Sequence, residues 1–340
     1  MPSPLHIRKL VFEPTTFCNA HCPHCPRFDE DGFVHSSMDM QHLPLNIVQG
    51  ITKKTMPHLS RVQFQGDKGD PCMHPQISEM IQHFEFTDAV LMSTNGSIHS
   101  TKWWTALASI KNLIVTFSID GLEDTNHLYR VNLQFNKIMS NAQAFIDAGG
   151  CAVWKCLIWK HNQHQINEIK ERARGMGFHR VVFKEPDVNR FQGLTSWPVK
   201  RNGVHLHNIS PPDYSAQELM AFNEVFNTNR DSRLEIIPEV VEKQNQKTCP
   251  WQKNATAYVN YKGYVLPCCS SHFDIDLDYE GTHSLERAVD GFDNISLKKY
   301  NIKEIVDGDF YSSKLETLLQ NKDTALYQCK KTCGFLFDES

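Results

Sequence analysis

Short apolar runs and amphipathic stretches alternate along the first half of the chain. Leu10–Glu13, Arg61–Gln65, Ala89–Ser93, Ile114–Ile119, Val153–Ile158 and Arg180–Lys184 are rich in branched and aromatic residues and bounded by turn formers, as buried strands are. Between them, Leu43–Met56, Ile77–Phe84, Thr101–Ser109, Phe135–Ala148 and His164–Arg174 repeat apolar residues at helical spacing. This alternation predicts parallel βα units, which wind right-handed and bring the strand C-termini to one side. Farther on, Pro211-Pro212-Asp213 breaks the chain before a helix-like Ala216–Phe226. Ala255–Tyr261 and Tyr264–Leu266 read as a hairpin around Lys262-Gly263, and Lys314–Leu319 as a helix.

The first strand ends at Pro14-Thr15-Thr16, and Cys18, Cys22 and Cys25 follow directly. Three cysteines on a loop at a strand's C-terminal end stand where barrel enzymes carry their chemistry. A cubane iron–sulfur cluster normally takes four thiolates. Three would leave one iron open to a substrate or cosubstrate, as an open coordination position does at a catalytic zinc. The competing readings are part of a zinc site and buried thiols that only pack; the loop position speaks against both.

Composition narrows the context. The chain has 340 residues, 40% hydrophobic and 22% charged, enough for about two domains and a sizeable core. A net charge of −4 gives no electrostatic footprint for nucleic acid. No apolar run of about 18 residues or secretory signal is present, so no membrane span and a cytoplasmic location are expected. In that compartment 11 cysteines point to metal or redox sites more than to disulfides.

The C-x3-C-x2-C spacing of Cys18, Cys22 and Cys25 resembles the motif of the radical S-adenosylmethionine (radical SAM) superfamily. The resemblance covers about residues 8 to 190 and implies an open, partial (β/α)6 TIM-like barrel whose 4Fe-4S cluster binds SAM. It also suggests roles at successive strand ends. Gly66 and Gly69, with Asp70, look like the glycine-rich motif that holds the SAM amino group, Asp70 replacing the commoner glutamate. Ser93 and Asn95, then Ser118 and Asp120, are polar exits from apolar strands, suited to ribose or carboxylate. Arg130 matches an arginine that supports the SAM carboxylate, and Leu157 and Asn162 fall in the region similar to the adenine-binding strand. Each also has an ordinary reading: Gly, Asn and Asp make turns, and an arginine can simply face solvent. His164 reads as a packing or surface residue.

Late in the chain Cys249, Gly263 and Cys268 follow a C-x13-G-x4-C pattern, and Cys329 and Cys333 close the set. This resembles the start of the SPASM and twitch extensions and implies one auxiliary 4Fe-4S cluster, with Cys269 able to replace Cys268; tetrahedral zinc is the competing metal. Cys72, Cys151 and Cys156 read as buried thiols. The expected organisation is a barrel over 1–195, a bridging segment over 196–248 and an auxiliary-cluster domain over 249–340. Phe191, Trp197 and His205 lie within reach of a substrate in sequence terms, though packing is the plainer role, and Phe273–Asn294 reads as a loop over the site.

The resemblance implies reductive cleavage of SAM and hydrogen abstraction, for oxidation, crosslinking or epimerisation of a ribosomal peptide or protein. Return of hydrogen from Cys269 or Cys156 would make the outcome epimerisation. The expected partners are that substrate, a one-electron reductant such as flavodoxin or ferredoxin, and a separate leader-peptide-binding protein, because the first strand begins by about residue 8. The alternatives are a small-molecule carbinol dehydrogenase of the sugar or aminocyclitol type and a non-catalytic, zinc-stabilised binding module.

Overall fold

The computed structural model describes residues 7–23, 25–186, 195–226, 249, 254–272, 283–320, 325–327 and 329–330. Six strands form the barrel wall: β1 (Lys9–Phe12), β2 (Arg61–Phe64), β3 (Ala89–Thr94), β4 (Leu113–Ser118), β5 (Cys151–Leu157) and β6 (Arg180–Lys184). Each pairs in parallel with the next. The intervening helices are α1 (Leu45–Gln49), α2 (Ile77–His83), α3 (Thr101–Leu107), α4 (Asn126–Tyr129), α5 (Phe135–Asp147) and α6 (Ile166–Met176). The expected partial barrel is what the chain forms.

Strand alternation divides the wall into two faces. One set, including Phe12, Phe64, Val90, Met92, Val115, Phe117, Trp154 and Phe183, joins Ile138, Phe145 and Ala173 of the helices in one large core. On α5, buried Phe135, Ile138, Met139, Ala142 and Phe145 make the apolar stripe, and Asn141 donates from its amide to Gly96 O at 2.8 Å. The opposite face holds a separate small plug of Ala89, Ile114, Cys151, Val153 and Val182, with Leu91 against it. Beyond that plug, toward the strand C-termini, the same face turns polar.

The sheet also grows past the six predicted strands. β10 (Thr256–Val259) pairs in parallel with β1 and in antiparallel with β11 (Val265–Leu266), so the late hairpin extends the barrel sheet. At the other edge β9 (Glu224–Val225) runs antiparallel to β6, and β7 (Trp197–Arg201) and β8 (Val204–Ile209) form a separate hairpin. Trp197 and His205 therefore sit on this hairpin, where His205 Nε2 meets Asn208 Oδ1 at 2.8 Å.

Two helices are shorter than their patterns predict. α1 stops at Gln49, because Thr52 and Thr55 bond one another's backbone amides and Pro57 follows, offering the chain a turn in place of helix. The Ala216–Phe226 stretch is helical only over α7 (Ala216–Ala221); Asn223 then accepts from Phe183 N at 2.7 Å and β9 docks on the sheet edge. The C-terminal region adds α8 (His283–Ala288), α9 (Ile302–Asp307) and α10 (Leu315–Gln320), the last close to its predicted span. Phe191 and much of the Phe273–Asn294 insertion lie outside the described residues.

Candidate active site

The loop after β1 carries Cys18, Cys22 and Cys25, and three neighbouring strand ends hold it. Asp70 N donates to Phe17 O at 2.8 Å, and His21 N to Val131 O at 2.9 Å. Asn19 donates to Ser97 Oγ at 2.8 Å and accepts from Asn95 Nδ2 at 2.9 Å. The glycines of the β2 loop serve this packing: a Cβ on Gly69 would lie 2.0 Å from Thr15 O, and one on Gly66 1.8 Å from Gly69 O. Only glycine lets these two backbones approach so closely.

Asp70 is buried and accepts from Cys72 N at 2.9 Å, Thr94 Oγ1 at 2.8 Å and Asn95 N at 2.7 Å. Three of a carboxylate's roughly four lone-pair directions are thus engaged by the protein. Asp120 is also fully buried. Its Oδ1 accepts from Leu157 N at 2.6 Å, and its Oδ2 pairs with Arg130 Nε at 2.6 Å. Arg130 in turn points Nη1 at Cys22 Sγ, 3.6 Å away. Burial works against the Arg130 charge, but Asp120 and Cys22 outweigh it and hold the guanidinium more firmly protonated than usual. Asn162 staples two strand ends, donating to Asp120 O and Leu157 O at 3.0 Å each. Ser93 is half-buried and Ser118 buried, both on the concave face.

The three thiols suit a cluster in chemistry and placement. Ala20 N donates to Cys18 Sγ at 3.4 Å and Asn95 Nδ2 lies 4.0 Å from it, while Arg130 faces Cys22; such N–H groups favour thiolate sulfur. Without a metal, burial and then Cys22 push Cys25 up to about 12, burial and then Asp70 raise Cys18, and burial raises Cys22 against the opposing pull of Arg130, so iron has to displace their protons. Among the described residues no three His, Cys, Asp or Glu side chains converge as a single ion requires.

At the other end of the hairpin, Cys249, Cys268 and Cys329 line one small hollow with Thr256, Pro267, Tyr311 and Leu315. Cys333 lies outside the described residues. The adjacent Cys268 and Cys269 part company. Cys268 feels the charge of Cys249, whereas Cys269 acts electrostatically on Lys9 and Tyr258, both on the inward register of β1 and β10. Cys72, Cys151 and Cys156 are buried. Sequence reasoning passed over Glu13, whose Oε1 accepts from Asp67 N at 3.1 Å and Lys68 N at 2.7 Å, and Arg27, whose guanidinium donates to Thr16 O and Lys68 O. It also passed over Lys155, although a lysine inside an apolar strand run was the available signal.

By fold, the chain is an open, partial α/β barrel similar to solved structures that bind S-adenosylmethionine. No family model matches the sequence. Streptococcus suis SuiB bound to S-adenosylmethionine superposes with a TM-score of 0.56 at 16% identity, over 81% of this chain and 62% of SuiB, so this chain spans somewhat under two thirds of that protein. Native anSMEcpe with bound AdoMet and the Cp18Cys peptide gives 0.53 at 17% identity, covering 97% of this chain and 87% of that one. In sequence the chain is 23% identical over 278 residues to the tungsten-containing aldehyde ferredoxin oxidoreductase cofactor-modifying protein of Pyrococcus furiosus, covering 77% of this chain and 71% of that protein. Among the described residues no helix is long and apolar enough to cross a membrane.

Proposed function

We propose that this chain is a radical SAM enzyme that abstracts hydrogen from a peptide or protein substrate, leading to oxidation, crosslinking or epimerisation. The observation that carries the reading is a three-cysteine loop at the C-terminal end of β1, roped to the ends of β2 and β3 and facing a polar concave wall. A 4Fe-4S cluster bound there would supply the single electron for reductive cleavage of SAM and so the means of hydrogen abstraction from the substrate. Cys18, Cys22 and Cys25 would hold that cluster. Arg130, clamped by Asp120, fixes Cys22 and places positive charge beside it. Asp70, with one lone-pair direction left, and the backbone around Gly66 and Gly69 face the SAM amino group. Ser93, Asn95, Ser118 and Leu157 border its ribose, carboxylate and base, and Asn162 keeps the last two strand ends together. Cys249, Cys268, Cys329 and Cys333 hold one auxiliary cluster.

The peptide reading is supported by the peptide complexes of anSMEcpe and of SuiB, the latter with its precursor peptide SuiA. A small-molecule substrate is the second reading, favoured by the P. furiosus relative, which is named for modifying a cofactor. Electrons come from a flavodoxin or ferredoxin. Anaerobic reconstitution with iron and sulfide, then dithionite and SAM, tests the proposal. Wild type is expected to hold about eight iron atoms and release methionine and 5′-deoxyadenosine, and Cys18→Ala to lose about four irons and all cleavage. Zinc in place of iron, or an iron-loaded protein that leaves SAM intact, would sink the enzyme reading.

A further inference from the structure

The concave wall carries two lysines that the proposed chemistry does not use. Lys155 lies two residues beyond Val153 on β5, and Lys184 two beyond Val182 on β6, so both share the face of the apolar plug. In the parallel register Lys155 stands opposite Val182 and Lys184 opposite Leu157, making the lysines diagonal neighbours above the plug. Lys155 also sits beside Ser118. Arg130 is paired with Asp120, but neither lysine ammonium has a hydrogen-bond or ion-pair partner among the described residues.

Burial, then Arg130 and Lys184, brings Lys155 down to about 8, while Asp120 and Asp67 pull the other way; burial and Arg180 lower Lys184. Two half-buried cations side by side oppose folding, since buried charge is normally paired. Such an arrangement is retained at sites where a ligand completes the charge balance. Lys155 lies next to the proposed SAM pocket through Ser118, and Lys184 one strand beyond it.

We propose that Lys155 and Lys184 form an anion-binding wall of the substrate pocket, and that the substrate carries a carboxylate or phosphoryl group which seats between them. This rests on the concave face being the substrate site of the enzyme proposed above. Two flexible ammonium groups grip either anion as point charges. The wall therefore defines the shared chemistry, and the probe identifies the group.

The test is calorimetric titration of the anaerobically reconstituted protein, saturated with SAM, using pyrophosphate in one arm and glutarate in the other. One anion is expected to bind at millimolar concentration or below. Lys184→Gln is expected to weaken it at least tenfold, and Lys155→Gln with Lys184→Gln to abolish it, while Lys184→Gln leaves SAM affinity within twofold of wild type. The anion that saturates identifies the group. Thermal unfolding of Lys155→Met with Lys184→Met provides the control: removing two unpaired buried charges should raise the melting temperature, showing that lost binding is not lost folding. The proposal is overturned if neither anion binds at 20-fold the SAM concentration or above, if binding survives both substitutions, if SAM affinity falls in step with anion affinity, or if the double Met variant melts lower. Reductive SAM cleavage by wild type is scored separately, so failure of the enzyme reading and failure of the lysine wall are told apart.

Discussion

Replacing Asp120 by Asn tests the internal frame of the site. The carboxylate is fully buried; one oxygen accepts from Leu157 N–H and the other is ion-paired with Arg130 Nε, each at 2.6 Å. An amide of the same shape has one acceptor oxygen, so either Leu157 or Arg130 must face an NH2 group. The Arg130 side chain is 14% exposed and would keep its charge with its main counter-ion gone. Breaking a buried pair by removing one member typically costs about 3–5 kcal/mol. With a urea slope of about 3 kcal/mol/M for a chain of this size, the unfolding midpoint should fall by about 1–1.7 M. The assay is urea unfolding of the reduced, metal-free chain by circular dichroism and tryptophan fluorescence. Adding Arg130→Met removes the stranded charge and should restore roughly 2 kcal/mol. A loss below about 1 kcal/mol for Asp120→Asn, or a double variant no more stable than the single, would refute the reasoning.

Gly69→Ala drives a Cβ against the Thr15 carbonyl, and because that neighbour is backbone the cysteine loop has to shift; reconstituted iron should drop by about four atoms per chain. Gly175→Ala, late in α6 with open space around its added Cβ, should instead stabilise the fold by about 0.5–1 kcal/mol in thermal unfolding. Cys268→Ser should lose the iron of the auxiliary site while Cys269→Ser keeps it, read by iron analysis; the reverse result would place Cys269 in the ligand set. Burial, reinforced by His207, His127 and His164, lowers His161 from 6.5 to about 4, so the folded state keeps it neutral. Its contribution is complete above pH 6.5 and is lost as pH falls toward 4; after discounting for partial solvent access it amounts to about 1–2 kcal/mol. His161→Gln should flatten that acid limb in urea midpoints measured between pH 7 and 4, and an unchanged slope would contradict the assignment.

The repeating strand–helix pattern was legible because burial on both faces makes parallel strands continuous apolar runs, and the cysteine spacing was legible because it lies within one loop. The late hairpin was visible too, but not its place: pairing of Thr256–Val259 with β1 depends on which sheet edge is free, a long-range outcome that no local pattern encodes. The short α1 and the strand at Glu224–Val225 were missed for the related reason that side-chain hydrogen bonds and an open sheet edge overrode helical periodicity.

At the site, the sequence by itself determined the residue types at the strand ends and hence the class of chemistry they suit. Tertiary structure alone decided how they divide the work. Asp70 and Asn162 are bound up in the frame, Arg130 answers to Asp120 and Cys22, and adjacent Cys268 and Cys269 have different electrostatic neighbours. It also decided that Lys155 and Lys184 share one inward face. The physical reason is that strand alternation can be read locally, whereas which charges meet across strands is fixed only by register and burial.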